Sequence, residues 1–289
     1  MSLSKTMLLG FIAGVTILLG LPVGRIRRPA PGLRVFLNAT AVGVLLFLLW
    51  DVLSAAWEPI DAALADVHEN HGSLAPAFGY GALFIGGLAV GLLSLVAYEG
   101  WMGRRAKVPT RRFGPGAMAT GELVVQRRGI AGWSAASQLA LLIAVGIGLH
   151  NFAEGLAIGQ SAAKGDIALA TLLVIGFGLH NSTEGFGICA PLAADAHVDA
   201  DAPSWRFLGL MGLISGGPTF VGAAMGHGFT SEPISVAFLT LAAGSILYVV
   251  AQLLGIAAKS RRTDLLAYGL LLGLVAGFAT DAVVTAGGV

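Results

Sequence analysis

Two short segments of this sequence carry the same four-residue chemistry. Gly148-Leu-His-Asn-Phe-Ala-Glu-Gly-Leu-Ala-Ile158 and Gly178-Leu-His-Asn-Ser-Thr-Glu-Gly-Phe-Gly-Ile188 lie 30 residues apart. In a helix, His150 and Glu154 are four positions apart, which puts both side chains on one face about one turn from each other; His180 and Glu184 repeat the arrangement. A neutral imidazole and a carboxylate are both good ligands for a divalent first-row ion, and two carboxylates cancel its double charge. The pairs also suit helix-to-helix hydrogen bonding. Placed in mid-membrane, however, each ionisable side chain costs at least about 2.5 kcal/mol, and such residues usually mark ion or substrate pathways. Asn151 and Asn181 lie about 100° around the helix from the histidines, where each can complete coordination or brace a ligand.

The elements that must position these pairs follow from composition. The 289 residues are 56% hydrophobic and 11% charged, include 42 glycines, and have a mean hydropathy of +0.81. Such a chain needs lipid as solvent. Eight runs are long and apolar enough to span a bilayer as helices: Met7 to Val23, Val35 to Trp57, Ala77 to Tyr98, Ala135 to Gln160, Ile167 to Leu192, Phe207 to Met225, Val236 to Ala258, and Leu265 to Ala286. The expected fold class is therefore all-α, a polytopic membrane helix bundle forming one transmembrane domain over residues 1–289. Basic residues follow the first run instead of preceding it, so it reads as a retained helix and not a cleaved signal.

Charge placement orients the bundle. Of the 17 lysines and arginines, all but Lys5 and Lys164 fall in loops on one face, including seven in the loop over residues 99–134 between the third and fourth spans. By the positive-inside rule that face is cytoplasmic and both termini lie outside, in a multi-pass protein of the cell inner (cytoplasmic) membrane. The segment after the second span holds Glu58, Asp61, Asp66 and Glu69 without a basic residue, an acidic loop on the outer face. Depth follows from the hairpin joining the fourth and fifth spans. His150 lies 15 residues before Gly165 and His180 lies 15 after it, so antiparallel helices bring both pairs to one level, about 20 Å from the tip and near the bilayer midplane.

Other candidates are weaker. Asp51 and Asp281 fall near the outer ends of their spans, as entrance groups or interface anchors. His68, His71 and His197 sit in loops, for transient metal capture or simply in solvent. The single cysteine, Cys189, excludes an intrachain disulfide and thiolate clusters, and lies about 180° around its helix from His180, which suits packing.

The doubled motif resembles the Zrt/Irt-like protein (ZIP) family of metal transporters, in its prokaryotic branch. The fourth helix of that family typically reads His-Asn-x-Pro-Glu-Gly, matched here by His150-Asn151-Phe152-Ala153-Glu154-Gly155. Its fifth carries a related motif, matched by His180-Asn181-Ser182-Thr183-Glu184-Gly185. Eight spans, outside termini, a long third cytoplasmic connection and the segment Ala243 to Val250 extend the likeness over most of the chain. The resemblance implies uptake of zinc, or of iron, manganese or cadmium, as transported substrate and not as prosthetic group. His150, Glu154, His180 and Glu184 would be the primary ligands. Asn151 and Asn181 match positions serving a second ion in some members. Three departures stand out: Thr219 occupies the place of a helix-6 glutamate, Gln252 a helix-7 position that is often acidic, and Ala153 and Thr183 replace the motif prolines. The implied partners are a divalent metal ion and the lipid bilayer, with no nucleic acid; a homodimer is left open. The competing reading is a membrane-embedded zinc-dependent hydrolase, weakened by the lack of His-Glu-x-x-His and Gly-x-Ser-x-Gly motifs.

Overall fold

The computed structural model describes residues 1–25, 31–106, 129–163, 167–194, 202–228 and 231–286. Those residues form eight α-helices and no strand: α1 (Leu3–Val15), α2 (Pro31–Asn70), α3 (Ala75–Ala106), α4 (Ala135–Ala163), α5 (Ile167–Ala194), α6 (Trp205–Gly226), α7 (Glu232–Ala258) and α8 (Thr263–Ala286). Seven of these segments are long and apolar enough to cross a membrane among the described residues, and α5, at 28 residues, is an eighth of similar length. The fold is an all-α polytopic bundle.

Two elements differ from their expected form. The first span runs from Leu3 to Arg25, but its α-helix stops at Val15 and continues as two tight 3-10 turns, Thr16–Leu19 and Leu21–Arg25. Gly20 sits there, and a side chain on it would collide with the backbone of Ser182 and Gly185 in α5. Pro22 then lacks the N–H that would extend an α-helix. The second difference is α2, a 40-residue helix that continues past Trp57 through Pro59 to Asn70. Glu58, Asp61, Asp66 and Glu69 therefore lie on a helical extension and not on a loop. At 1.5 Å per residue α2 is about 60 Å long, roughly twice the hydrocarbon core. Ala62, Ala63, Leu64 and Ala65 are strong helix formers, and they carry the helix on beyond the lipid-soluble part. Likewise, α3 runs to Ala106, so the expected loop over 99–134 begins later; its residues 107–128 lie outside the described residues.

Helices pack in two groups. In the first, α4 is surrounded by α1, α5 and α6; in the second, α2 packs on α8 and α3 on α7, with α2 also against α7. Backbone-to-backbone approach holds each group. A side chain on Gly155 or Gly159 of α4 would run into the carbonyls of Thr219 or Ala223 in α6, and one on Gly222 of α6 into that of Phe152. Small residues at such seams let helices approach closely where the hydrophobic effect gives no drive between them. The groups meet where α4 and α5 face α7 and α2, around a buried cluster that includes Leu45, Ile143, Ile147, Tyr248 and Leu253. Two hydrogen bonds tie α4 to α7 across this boundary: Ser245 Oγ donates to the Gly146 carbonyl at 2.9 Å, and Gln160 Nε2 to Ser235 Oγ at 3.1 Å.

Candidate metal centre

The four-residue spacing of the motif does in the fold what it predicts. His150 Nε2 lies 3.0 Å from Glu154 Oε1 on its own helix and 3.2 Å from Glu184 Oε1 on α5. The antiparallel hairpin has brought the two half-motifs to the same level. His150 is 0% exposed, Glu154 5% and Glu184 1%, so an imidazole and two carboxylates converge in a place closed to water. His180 lies in α5, four residues before Glu184; its side chain is outside the described residues.

The centre is built by the packing around it. Gly155, directly after Glu154, allows α6 against α4, and Gly185, directly after Glu184, allows the 3-10 turn at Gly20 against α5. Any side chain at either place would push a carboxylate-bearing helix away from its neighbour. The asparagines finish the frame. Asn151 Nδ2 donates to the Ser215 carbonyl of α6 at 3.0 Å, and Asn181 Nδ2 to the Ala13 carbonyl of α1 at 3.1 Å. Each amide nitrogen thus ties its own helix to a neighbouring one. Both Oδ1 atoms, Glu184 Oε2 and Thr219 Oγ1 are buried and have no hydrogen-bond partner among the described residues. Unsatisfied buried oxygens cost free energy, and a cation is one group that satisfies several at once.

As it stands, the trio is a tight cluster, with His150 Nε2 in close contact with both carboxylates. Among the described residues, no set of three or more His, Cys, Asp or Glu side chains is spread as a ready cage for an ion. Zinc bonds of 2.0 to 2.2 Å in a tetrahedron separate ligand atoms by about 3.4 Å. The contacts of 3.0 and 3.2 Å are a little shorter than that, so the three groups would spread slightly to admit the ion. Charge favours its entry. Two carboxylates facing one imidazolium leave a net negative charge in a low-dielectric site, whereas two carboxylates, a neutral imidazole and a divalent cation balance.

Other residues singled out from sequence are dispersed. Thr219 is fully buried between α1 and α4, and its carbonyl faces Gly155, so it borders the motif. Cys189 is 1% exposed and donates from Sγ to the Leu21 carbonyl at 3.2 Å, a packing contact away from the centre. His68 and His71 are exposed at the end of α2, and His197 lies outside the described residues. Asp51 and Asp281 sit in α2 and α8, apart from the trio.

Sequence reading missed two polar groups. Glu99, in the last turns of the α3 span, accepts hydrogen bonds at 3.1 Å from Tyr248 Oη and at 3.1 Å from Gln252 Nε2, both on α7. With Ser245 these α7 residues stand at i, i+3 and i+7, on one face. Ser245 meets α4 at Gly146, one turn before His150. That spacing is the signal that was available in the sequence. His227 was also missed; its Nδ1 lies 3.1 Å from Thr6 Oγ1, joining the ends of α6 and α1. Comparison of the chain with protein-family models and with curated proteins gives no match.

Proposed function

We propose that this protein carries divalent transition-metal ions across a membrane, with His150, Glu154, His180 and Glu184 as the ligands of the moving ion and zinc as the preferred cargo. One observation carries the reading: an imidazole and two carboxylates from two different helices meet, fully buried, inside a bundle whose helices are long enough to span a bilayer. Nothing about holding the fold together requires three ionisable groups there, and apolar residues of similar volume would serve stability as well or better. The resemblance of the doubled motif to ZIP proteins supports the same reading.

The nitrogen and oxygen donors suit zinc, manganese and iron(II) better than soft ions, since the lone cysteine bonds elsewhere. Imidazole and carboxylate bind an ion only when deprotonated, so the ion competes with protons and its binding weakens as pH falls. Movement requires the centre to face each side in turn. The group built around α4 and the group built around α2 and α7 are the two bodies whose rearrangement would do this, with the Gln160–Ser235 and Ser245–Gly146 hydrogen bonds as contacts to be made and broken. The face of Ser245, Tyr248 and Gln252, ending on Glu99, offers polar groups between the centre and the basic end of the bundle. The crowding of lysine and arginine marks that end as cytoplasmic, and the likeness to ZIP proteins favours uptake through the inner membrane over export.

The test is uptake of zinc, with cadmium, manganese and iron as comparisons, into liposomes holding the purified wild type or Glu154→Ala/Glu184→Ala. Flux in the wild type alone supports a carrier that uses this centre. Tight metal binding without flux in either protein contradicts it and leaves a membrane-embedded zinc-dependent hydrolase or a static metal.

A further inference from the structure

One cavity lies away from the His150 centre. It is a groove of about 830 Å3 between α1 and α6, with Phe152 of α4 reaching into it, and only glycine and apolar side chains line it. Its walls include Phe11, Val15, Leu213 and Val221, all more than a third exposed at the outside of the bundle. Both helices that form it are membrane spans, so it opens toward lipid. Its extent along α6 is from Gly209 to Val221, about 18 Å at 1.5 Å per residue. Half the hydrocarbon core is about 15 Å, so the groove is the depth of one leaflet.

One end of the groove is cationic. On α6, Gly209, Leu213 and Gly217 stand at i, i+4 and i+8; Arg206 and Trp205, both exposed, are three and four residues before Gly209 and continue that face to the helix start. Arg25, at the end of the 3-10 turns that follow α1, stacks its guanidinium 4.7 Å from the centre of the Trp205 ring and donates from Nη1 to the Pro203 carbonyl. A guanidinium has five N–H donors in a fork that matches phosphate, so most of Arg25 remains available. Tryptophan with arginine at a span's end is the usual signature of the headgroup level.

We propose that the α1/α6 groove is a binding site for an anionic phospholipid, with an acyl chain lying along Gly209, Leu213 and Gly217 and the phosphate held by Arg25 and Arg206. The volume falls in the range of small-molecule sites. The bound chain would lie against Phe152, between Asn151 and Ala153, and so against the helix that carries the His150 centre. The site does not depend on metal transport.

Two of the groove glycines make a clean test. A Cβ on Gly209 would meet nothing within 4 Å, and one on Gly217 only the Leu213 side chain at 3.5 Å, whereas Gly14, Gly212 and Gly216 are tightly packed. Gly209→Phe/Gly217→Phe therefore fills the groove without parting the helices. The measurement is native mass spectrometry of delipidated, metal-free protein reloaded with phosphatidylglycerol or phosphatidylcholine. Two arginines near the headgroup should make the wild type retain phosphatidylglycerol about tenfold or more over phosphatidylcholine. Gly209→Phe/Gly217→Phe should lose most retention of both lipids, and Arg25→Gln/Arg206→Gln should retain them without preference. Equal retention of the two lipids by the wild type, or unchanged retention by the groove-filling variant, would overturn the assignment. Should the groove-filling variant not fold, unchanged preference in Arg206→Gln alone would overturn it as well.

Discussion

Helices α4 and α3 are both apolar enough to span a bilayer, yet 78% of the most apolar window of α4 is buried inside the protein against 11% of that of α3. What separates them is not how much apolar surface they carry but what their glycines meet. In α4, side chains on Gly146, Gly148, Gly155 and Gly159 would strike neighbouring helices; in α3, those on Gly87 and Gly91 would strike α7, but those on Gly79, Gly81 and Gly86 would meet nothing within 4 Å. Lipid solvates the bare face of α3 as well as protein would. Burial of α4 serves another end, since it carries His150 and Glu154 and must keep them from both lipid and water.

The sharpest way to break this contrast is to put the same side chain into both helices. Gly155→Val should destabilise by about 3 kcal/mol, the upper end for overpacking, because the overlap is with the Thr219 backbone and not with a yielding side chain. A lower melting temperature by roughly 10 °C, or no recoverable folded protein, is the expected outcome in a thermal-shift measurement. Gly86→Val, exposed in α3, should change stability by under about 0.5 kcal/mol. Equal losses at the two sites would mean that α3 packs against something that covers its bare face.

A smaller effect should follow at the frame of the centre. Asn151→Ala removes the donor to the Ser215 carbonyl at 3.0 Å, and should weaken zinc binding by about 10- to 100-fold, as loss of a group that orients a ligand generally does. Its stability cost should be about 1 to 3 kcal/mol, since a buried carbonyl is left without that donor. Isothermal titration with zinc and a thermal-shift assay on the same sample read the two effects. Full zinc affinity in this variant would remove Asn151 from the support of the centre.

The smallest effect belongs to α3 itself. Glu99→Gln keeps the shape of the side chain that meets Tyr248 and Gln252 but removes its charge. It should leave zinc affinity at the His150 centre within about twofold while slowing uptake by a few-fold, because a charge some turns away acts on passage and not on ligation. A change in affinity as large as that of Asn151→Ala would place Glu99 in the centre.

Much of this arrangement could be read in the sequence, and the reasons are specific. All eight spans follow from runs of apolar residues, because a helix in lipid must satisfy its own backbone. The meeting of His150 with Glu184 follows from two motifs equally distant from Gly165, since a hairpin leaves only one register for them. The extension of α2 did not follow, because a span-length window ends at Trp57 and acidic residues read as a loop, although the alanines after Pro59 are helix formers. Nor did the Glu99 cluster, which joins residues 149 and 153 positions apart and depends on how α3 lies against α7. The acceptors of Asn151 and Asn181 were similarly hidden. They are backbone carbonyls of α6 and α1, which no side-chain pattern announces.

The most direct test of the centre is X-ray absorption at the zinc edge of loaded protein, wild type beside His150→Ala and Glu184→Ala. The account predicts nitrogen and oxygen neighbours only, at about 2.0 to 2.2 Å, with the imidazole contribution reduced in His150→Ala and occupancy sharply lower in both variants. A wild-type spectrum that either variant reproduces at equal occupancy would place the ion elsewhere and contradict it.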